Sequence, residues 1–212
     1  MPKLGMGPIR REQICRAAVA VIAREGYSGT TMRMVAEEAG VSTGMLNHYF
    51  ANRQDLLIKA LVFVSERSLV RYARAIEGIE PGRGRLEALL DSVLALDEES
   101  VETWRVWINV HGEAVRMREL RVTIEERLGP WFELVDEALE GLVPAAGNGE
   151  VAWAVRLDSV LTGFVIMAMT SEAELDPPRI REEVIAIVLG LAAAGAPIPR
   201  FTRAPRESAA AR

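Results

Sequence analysis

The sequence predicts an all-α protein of about nine helices, and three observations carry that expectation. Apolar residues recur at helical spacing along most of the chain, no segment alternates convincingly as a strand does, and Gly, Pro and Asn mostly fall between the apolar runs. Pro8 opens a first helix over 9–25, with Ile14, Ala18, Val21 and Ile22 on one face and Gly26 at its end. The stretch from Thr30 to Phe50, TTMRMVAEEAGVSTGMLNHYF, then has the grammar of a helix-turn-helix (about 31–50). Met34, Val35, Ala36 and Ala39 give one apolar face, and Gly40 is suited to the left-handed conformation that ends a helix. Val41 plugs the turn, and Ser42 is a good N-cap for a second helix, Thr43 to about Tyr49. That second helix turns Leu46 and Phe50 inward and leaves Thr43, Gly44, Met45, Asn47 and His48 comparatively free. It is too short to be stable without its neighbours.

Asn52 caps a long fourth helix, 53–79, bearing Leu56, Leu57, Ala60, Leu61 and Val64. After the break GIEPGRG, helices are expected over 86–96, 101–115, 119–142, 150–170 and 178–194, with Pro130 kinking or splitting the 119–142 helix. The prolines from Pro197 onward and the closing SAAAR predict a disordered tail over 196–212. No internal repeat is visible.

Composition narrows the functional class. Half of the 212 residues are apolar and 6% aromatic, as in a soluble helical protein. The lone cysteine, Cys15, excludes an internal disulfide and is expected to be buried and inert. The opening MPKLGMGPIRR lacks a signal-peptide core, and the apolar run 160–169 is too short to cross a bilayer, so a cytoplasmic protein without membrane contact is expected. The net charge of −5 hides an asymmetry: residues 1–60 sum to +3, 61–195 to −11 and 196–212 to +3. A duplex attracts the first part and repels the middle, so an acidic total does not argue against nucleic-acid binding. With only two histidines, no nucleophile motif, no Gly-rich phosphate loop and no metal-spacing Cys/His set, nothing points to an enzyme, a metal or a cofactor.

Two features lie beyond the helix-turn-helix. The 151–169 helix is apolar on most of its circumference, and Val184, Ile187, Val188 and Leu191 form a stripe on the next. Helices apolar nearly all round need cover on more than one side, which a two-fold pairing through Val160, Phe164, Val184, Ile187, Val188 and Leu191 would supply. All four tryptophans, Trp104, Trp107, Trp131 and Trp153, lie beyond residue 100, and Trp104, Trp107 and His111 share one helix face. Aromatic faces near carboxylates bind quaternary ammonium groups, and Glu113, Asp136 and Asp158 are candidate carboxylates. The same rings also serve as core packing, and Phe132, Phe164, Ile166 and Met167 suit an apolar ligand equally, so the two chemistries stay open here.

The N-terminal residues resemble the tetracycline-repressor (TetR/AcrR) family of bacterial transcription regulators. The resemblance rests on Gly26-Tyr27, Thr30-Thr31, AEEAGVSTG from Ala36 to Gly44, Tyr49-Phe50, and Asn52-Arg53 to Leu57, and covers roughly residues 8–68. Within the family the chain is most similar to choline-responsive BetI-type regulators, sharing the opening MPKLGM, VSTG followed by HYF, and W-x-x-W at Trp104 and Trp107. The likeness implies a three-helix DNA-binding domain over 8–68 and an all-α ligand-binding and dimerisation domain over 69–195. It implies contact with double-stranded operator DNA through Thr31, Arg33, Ser42, Thr43, Gly44, Met45, Asn47, His48, Tyr49 and Arg53. It further implies a homodimer and a small-molecule effector, whose site would draw on Trp104, Trp107, His111, Trp131 and Phe164. The expected function is a ligand-responsive regulator, most often a repressor released from a palindromic operator. An activator on the same scaffold and an architectural DNA-binding dimer remain open.

Overall fold

A computed structural model describes residues 6–95, 97–145, 153–171 and 176–195. The expected tail, 196–212, and the first residues of the eighth predicted helix, 150–152, lie outside the described residues. Within them the chain forms nine helices and no strand: α1 (Met6–Gly29), α2 (Met32–Ala39), α3 (Thr43–Tyr49), α4 (Arg53–Ile76), α5 (Arg83–Val93), α6 (Glu98–Ala114), α7 (Arg118–Leu139), α8 (Trp153–Thr170) and α9 (Pro177–Ala193).

The helix ends follow local chemistry. Thr31 caps α2 by accepting from Met34 N at 3.3 Å. Gly40 adopts φ 64°, and the Val41 amide reaches back to the Ala36 carbonyl at 3.0 Å, which closes the helix as a left-handed C-cap. Ser42 caps α3 by accepting from Met45 N at 3.2 Å. At α4, Asn52 accepts from Asp55 N and Asp55 accepts from Ala51 N, both at 2.9 Å, a reciprocal cap that fixes where the long helix begins.

Two expectations shift. α1 starts at Met6 rather than after Pro8, because a proline in the first turn removes only an amide that has no helical partner. It also continues to Gly29 past Gly26, whose φ of 78° and ψ of 165° break the helical path. α7 runs on through Pro130, so of the two outcomes expected there, a kink or a split, the split does not occur. Pro130 is exposed, so water can take up the carbonyl that its ring leaves unpaired.

Two apolar cores are stacked along α4. The first gathers Ile14, Ala18 and Ile22 of α1, Val35 of α2, Leu46 and Phe50 around α3, and Leu56, Leu57 and Leu61 of α4. It also takes in Val106 and Val110 of α6 and Leu120 of α7, so the three N-terminal helices share their core with helices from the C-terminal half. The second joins Tyr72 and Ile76 of α4 to α5, α7, α8 and α9. Cys15 lies in the first core, where burial pushes its thiol up to about 11, so it stays protonated and unreactive. α8 is long and apolar enough to cross a membrane by length and composition, contrary to the sequence reading. Here it carries Arg156 and Asp158, and one face packs into the second core.

Candidate functional site

The helix-turn-helix projects α3 outward on two anchors. Leu46 is fully buried and Phe50 nearly so, each contributing roughly 1.5–3 kcal/mol by leaving water. The opposite face presents Ser42, Thr43, Gly44, Met45, Asn47 and His48 to solvent, with Met45 38% exposed although apolar. Gly44 is not demanded by the fold, since a Cβ there would meet nothing closer than Ser42 Oγ at 3.8 Å. Tyr49 is half-buried, packs against the first core and meets the His48 ring edge-on at 5.2 Å. Thr31 and Arg33 at the start of α2 are exposed, Arg33 in only a loose ion pair with Glu37 at 3.6 Å.

Arg53 is placed differently from its expected phosphate position. Its Nε donates to the Thr30 carbonyl at 2.5 Å, and its Nη2 donates to the carbonyls of Tyr27 and Ser28. The guanidinium also lies over the Tyr27 ring at 5.5 Å. Two of its three nitrogens are thus spent on the frayed end of α1, and its first task is to clamp α4 to that end. The same end is held from the other side by α6: Ser28 Oγ donates to Glu113 at 2.7 Å, which holds the Glu113 carboxyl below its usual range. A Cβ at Gly26 would fall 3.0 Å from Asn109 Oδ1, so the glycine lets α1 and α6 close together. None of these three contacts was visible in the sequence, because each joins positions 23 or more residues apart.

Where the two cores meet lies a cavity of about 280 Å³. α4 contributes Ser68 and Tyr72, α6 contributes Trp104, Trp107 and His111, α7 contributes Arg127 and Trp131, and α8 contributes Asp158. Four of the five expected ligand residues are therefore brought together. Phe164 is not among the lining residues: Asp158, Thr162 and Ile166 of α8 face the cavity at four-residue spacing, which turns Phe164 to the far side of the helix, against the second core. Of the candidate carboxylates only Asp158 opens onto the space. Asp136 instead accepts from Ala154 N at 3.2 Å, and Glu113 is engaged by Ser28.

The polar atoms in the cavity are few and fixed. Trp131 Nε1 donates to Asp158 Oδ1 at 2.8 Å, and Trp104 Nε1 to the Val93 carbonyl at 3.2 Å, which lock both indoles. Tyr72 and Trp131 rings lie 5.4 Å apart. Trp107 and His111 rings lie 5.5 Å apart, with the His111 Nδ1–H donating to the Trp107 carbonyl at 2.9 Å. Burial pushes the Asp158 carboxyl above its usual range, against the Trp131 hydrogen bond and the His111 charge, which lower it.

The expected dimer residues divide. Val184 and Val188 are fully buried in the protomer's own second core and are not available to a partner. Val160, Phe164 and Leu191 are half-buried, while Ile187 and Met167 are exposed, Met167 at 66%.

Comparison with known proteins matches this architecture. The model described as "Bacterial regulatory proteins, tetR family" matches residues 14–60, and "BetI-type transcriptional repressor, C-terminal" matches residues 82–207. The HTH-type transcriptional regulator BetI of Rhizobium meliloti (strain 1021) is 35% identical over 126 residues, which span 57% of this chain and 60% of that one. Its counterpart in Vibrio vulnificus (strain YJ016) is 31% identical over 135 residues, 60% of this chain and 67% of that one. The chain thus aligns with less than two thirds of the first relative's length. Among solved structures, a transcriptional regulator from Rhodococcus sp. Rha1 superposes with a TM-score of 0.72 at 26% identity, over 87% of this chain and 96% of that one. A regulator from Saccharomonospora viridis in complex with choline gives 0.74 at 20% identity, over 91% and 100%, a likeness of fold. The chain belongs to the tetR family of bacterial regulatory proteins, with a C-terminal half of the BetI type.

Proposed function

We propose that the protein is a repressor that binds a palindromic operator as a homodimer and is released by a small quaternary ammonium effector. The observation that carries this reading is that the walls of the aromatic cavity include α4 and α6, the same two helices that hold the end of α1 through Arg53 and Glu113. An effector that spreads or draws together those walls moves the seat of the helix-turn-helix. It releases DNA only to the extent that it binds the DNA-incompetent arrangement more tightly. The Ser28–Glu113 and Gly26–Asn109 contacts make α6 a second arm beside α4.

On DNA, α3 enters the major groove. Thr43 offers a hydroxyl and a methyl to base edges, Met45 offers apolar contact, and Gly44 lets the backbone come close. Thr31, Arg33, Ser42, Asn47 and His48 lie where side chains reach phosphates and flanking bases, and Tyr49 divides its ring between core and hydroxyl contact. The dimer forms through the outward faces of α8 and α9: Val160, Gly163, Phe164 and Met167 at helical spacing, with Ile187, Gly190 and Leu191 opposite. Two-fold pairing of these faces sets two copies of α3 on repeated half-sites.

A cationic effector is favoured by the cavity's chemistry. Indoles of Trp104, Trp107 and Trp131 and the Tyr72 ring offer negative π faces, and Asp158 supplies the counter-charge. The choline bound by the Saccharomonospora viridis regulator supports the same class. A volume of about 280 Å³ has no room for a long acyl ligand such as the stearoyl-CoA held by the Bacillus subtilis regulator FadR. The test is to select bound fragments from genomic DNA, then titrate choline into the protein–operator complex. Release at saturating choline supports the reading. Unchanged operator affinity, with choline binding confirmed by calorimetry, overturns the effector mechanism.

A further inference from the structure

The cavity has a second charged group whose role a simple cation does not explain. Arg127 lines the space, and its Nε is buried without a hydrogen-bond partner among the described residues. Its ion pair is loose: Nη1 lies 3.6 Å from Glu66, a mostly exposed side chain. Exposed pairs of that length neutralise little of a guanidinium's field. Arg127 also precedes Trp131 by one turn on α7, so the two share a face, and it is Trp131 whose indole holds Asp158. Arg127 thus lies about 6 Å of helix rise from the indole that holds Asp158, so the cavity presents a positive and a negative group at different places on its wall. A lone cation drawn to Asp158 would face the guanidinium across a low-dielectric space. A ligand with a carboxylate beside its ammonium would instead satisfy both groups, the planar guanidinium being suited to a carboxylate's two oxygens.

We propose that the effector is a zwitterion, with a methylated ammonium seated among the indoles at Asp158 and a carboxylate held by Arg127. This rests on the reading of the cavity as a quaternary ammonium site and names the other half of the ligand. Specificity then comes from complementing two opposite charges, and an alcohol such as choline is discriminated against by leaving Arg127 unpaired.

Calorimetric titration of the full-length protein with trimethylglycine and with choline separates the possibilities. Trimethylglycine is expected to bind at least about tenfold more tightly than choline, a difference of one decade in Kd. Arg127→Gln should weaken trimethylglycine by about tenfold or more while changing choline by less than about twofold, and Asp158→Asn should weaken both by about tenfold or more. Arg127→Lys, which keeps the charge, should retain most of the trimethylglycine affinity. If Arg127→Gln fails to fold by circular dichroism, the lysine variant and the two-ligand comparison on the native protein still decide. Choline binding as tightly as trimethylglycine, or Arg127→Gln weakening both alike, overturns the zwitterion and leaves the quaternary ammonium reading standing as long as Asp158→Asn still weakens choline. Binding of neither probe, or no effect of Asp158→Asn on either, overturns both.

Discussion

The helix-turn-helix and the aromatic cavity are made from similar helices, yet they differ in how far along the chain their parts are gathered. The N-caps of α2 and α3 and the turn between them come from residues 31–50, each satisfied by a neighbour a few positions away, with one long-range addition where Gln13 Nε2 donates to the Ala39 carbonyl at 2.9 Å. The cavity is assembled from residues between 65 and 166, brought together from five helices. The first site takes its local geometry from its own residues and its seat from the core it shares with α1, α4, α6 and α7. The second is a product of packing, so a change in helix spacing reshapes it, and a single side chain such as Arg127 alters what it accepts. A switch needs both kinds of site, one rigid enough to read DNA and one soft enough to respond.

The contrast is broken most completely by removing the proposed two-fold relation between two copies of α3. Met167→Asp places a charge on the exposed face of α8 without disturbing the protomer's core. It should convert the dimer to a monomer by light scattering and lower operator affinity by about a hundredfold or more, since one half-site contact is lost. An unchanged mass would move the interface elsewhere. The next largest effect is expected at the joint between the two regions. Arg53→Ala removes charge-assisted hydrogen bonds to the end of α1 and should cost about 2 kcal/mol in denaturant unfolding. The salt slope of DNA binding should stay close to that of the native protein. A drop of roughly one unit would instead return Arg53 to the phosphate-contacting set.

Within the rigid reader, Gly44→Ala should leave thermal stability unchanged or slightly raised, because the site has room for a methyl and the helix gains propensity. Operator affinity should fall by about 1–3 kcal/mol if the backbone comes as close to the duplex as proposed. Equal affinity would show that α3 stands further off. Within the soft site the expected effect is smaller and depends on pH. Only the ionised Asp158 attracts a cation, and burial holds its carboxyl above the ordinary range. Affinity for choline should therefore begin to fall, as pH is lowered, at a higher pH than an ordinary solvent-exposed carboxylate would give. Arg127 and His111 also face the cavity, so the decisive comparison is Asp158→Asn. A flat profile there assigns the titration to Asp158, whereas a persisting decline shows that Asp158 is not its source.

The same difference in range explains what could be read from the amino acids. Gly40, Ser42 and Asn52 announced their roles because a cap or a left-handed turn depends on one residue and its immediate neighbours, whereas the capping role of Thr31 emerged only in the structure. Leu46 and Phe50 pointed inward by spacing alone. Trp104, Trp107 and His111 could be grouped, since they share a face of α6, and Trp131 joined them by its chemistry. Phe164 could not be sorted from Ile166, because an apolar helix gives no sign of which side meets a cavity and which meets a core. Val184 and Val188 were taken for interface residues for the same reason. Arg53 was misread in the opposite sense: it matched a phosphate-contacting position, and its carbonyl partners became visible only when the end of α1 was folded beside it. Arg127 gave no signal at all, since an arginine among arginines is distinguished only by what surrounds it.

The central claim is that an outward-facing α3, carried twice by a symmetric dimer, distinguishes one DNA sequence from others. Fluorescence anisotropy at moderate ionic strength, comparing a duplex selected from genomic DNA with a random duplex of equal length and no small molecule present, tests it directly. The account predicts tighter binding to the selected duplex by about 10³ or more. Equal affinity for the two duplexes would contradict it.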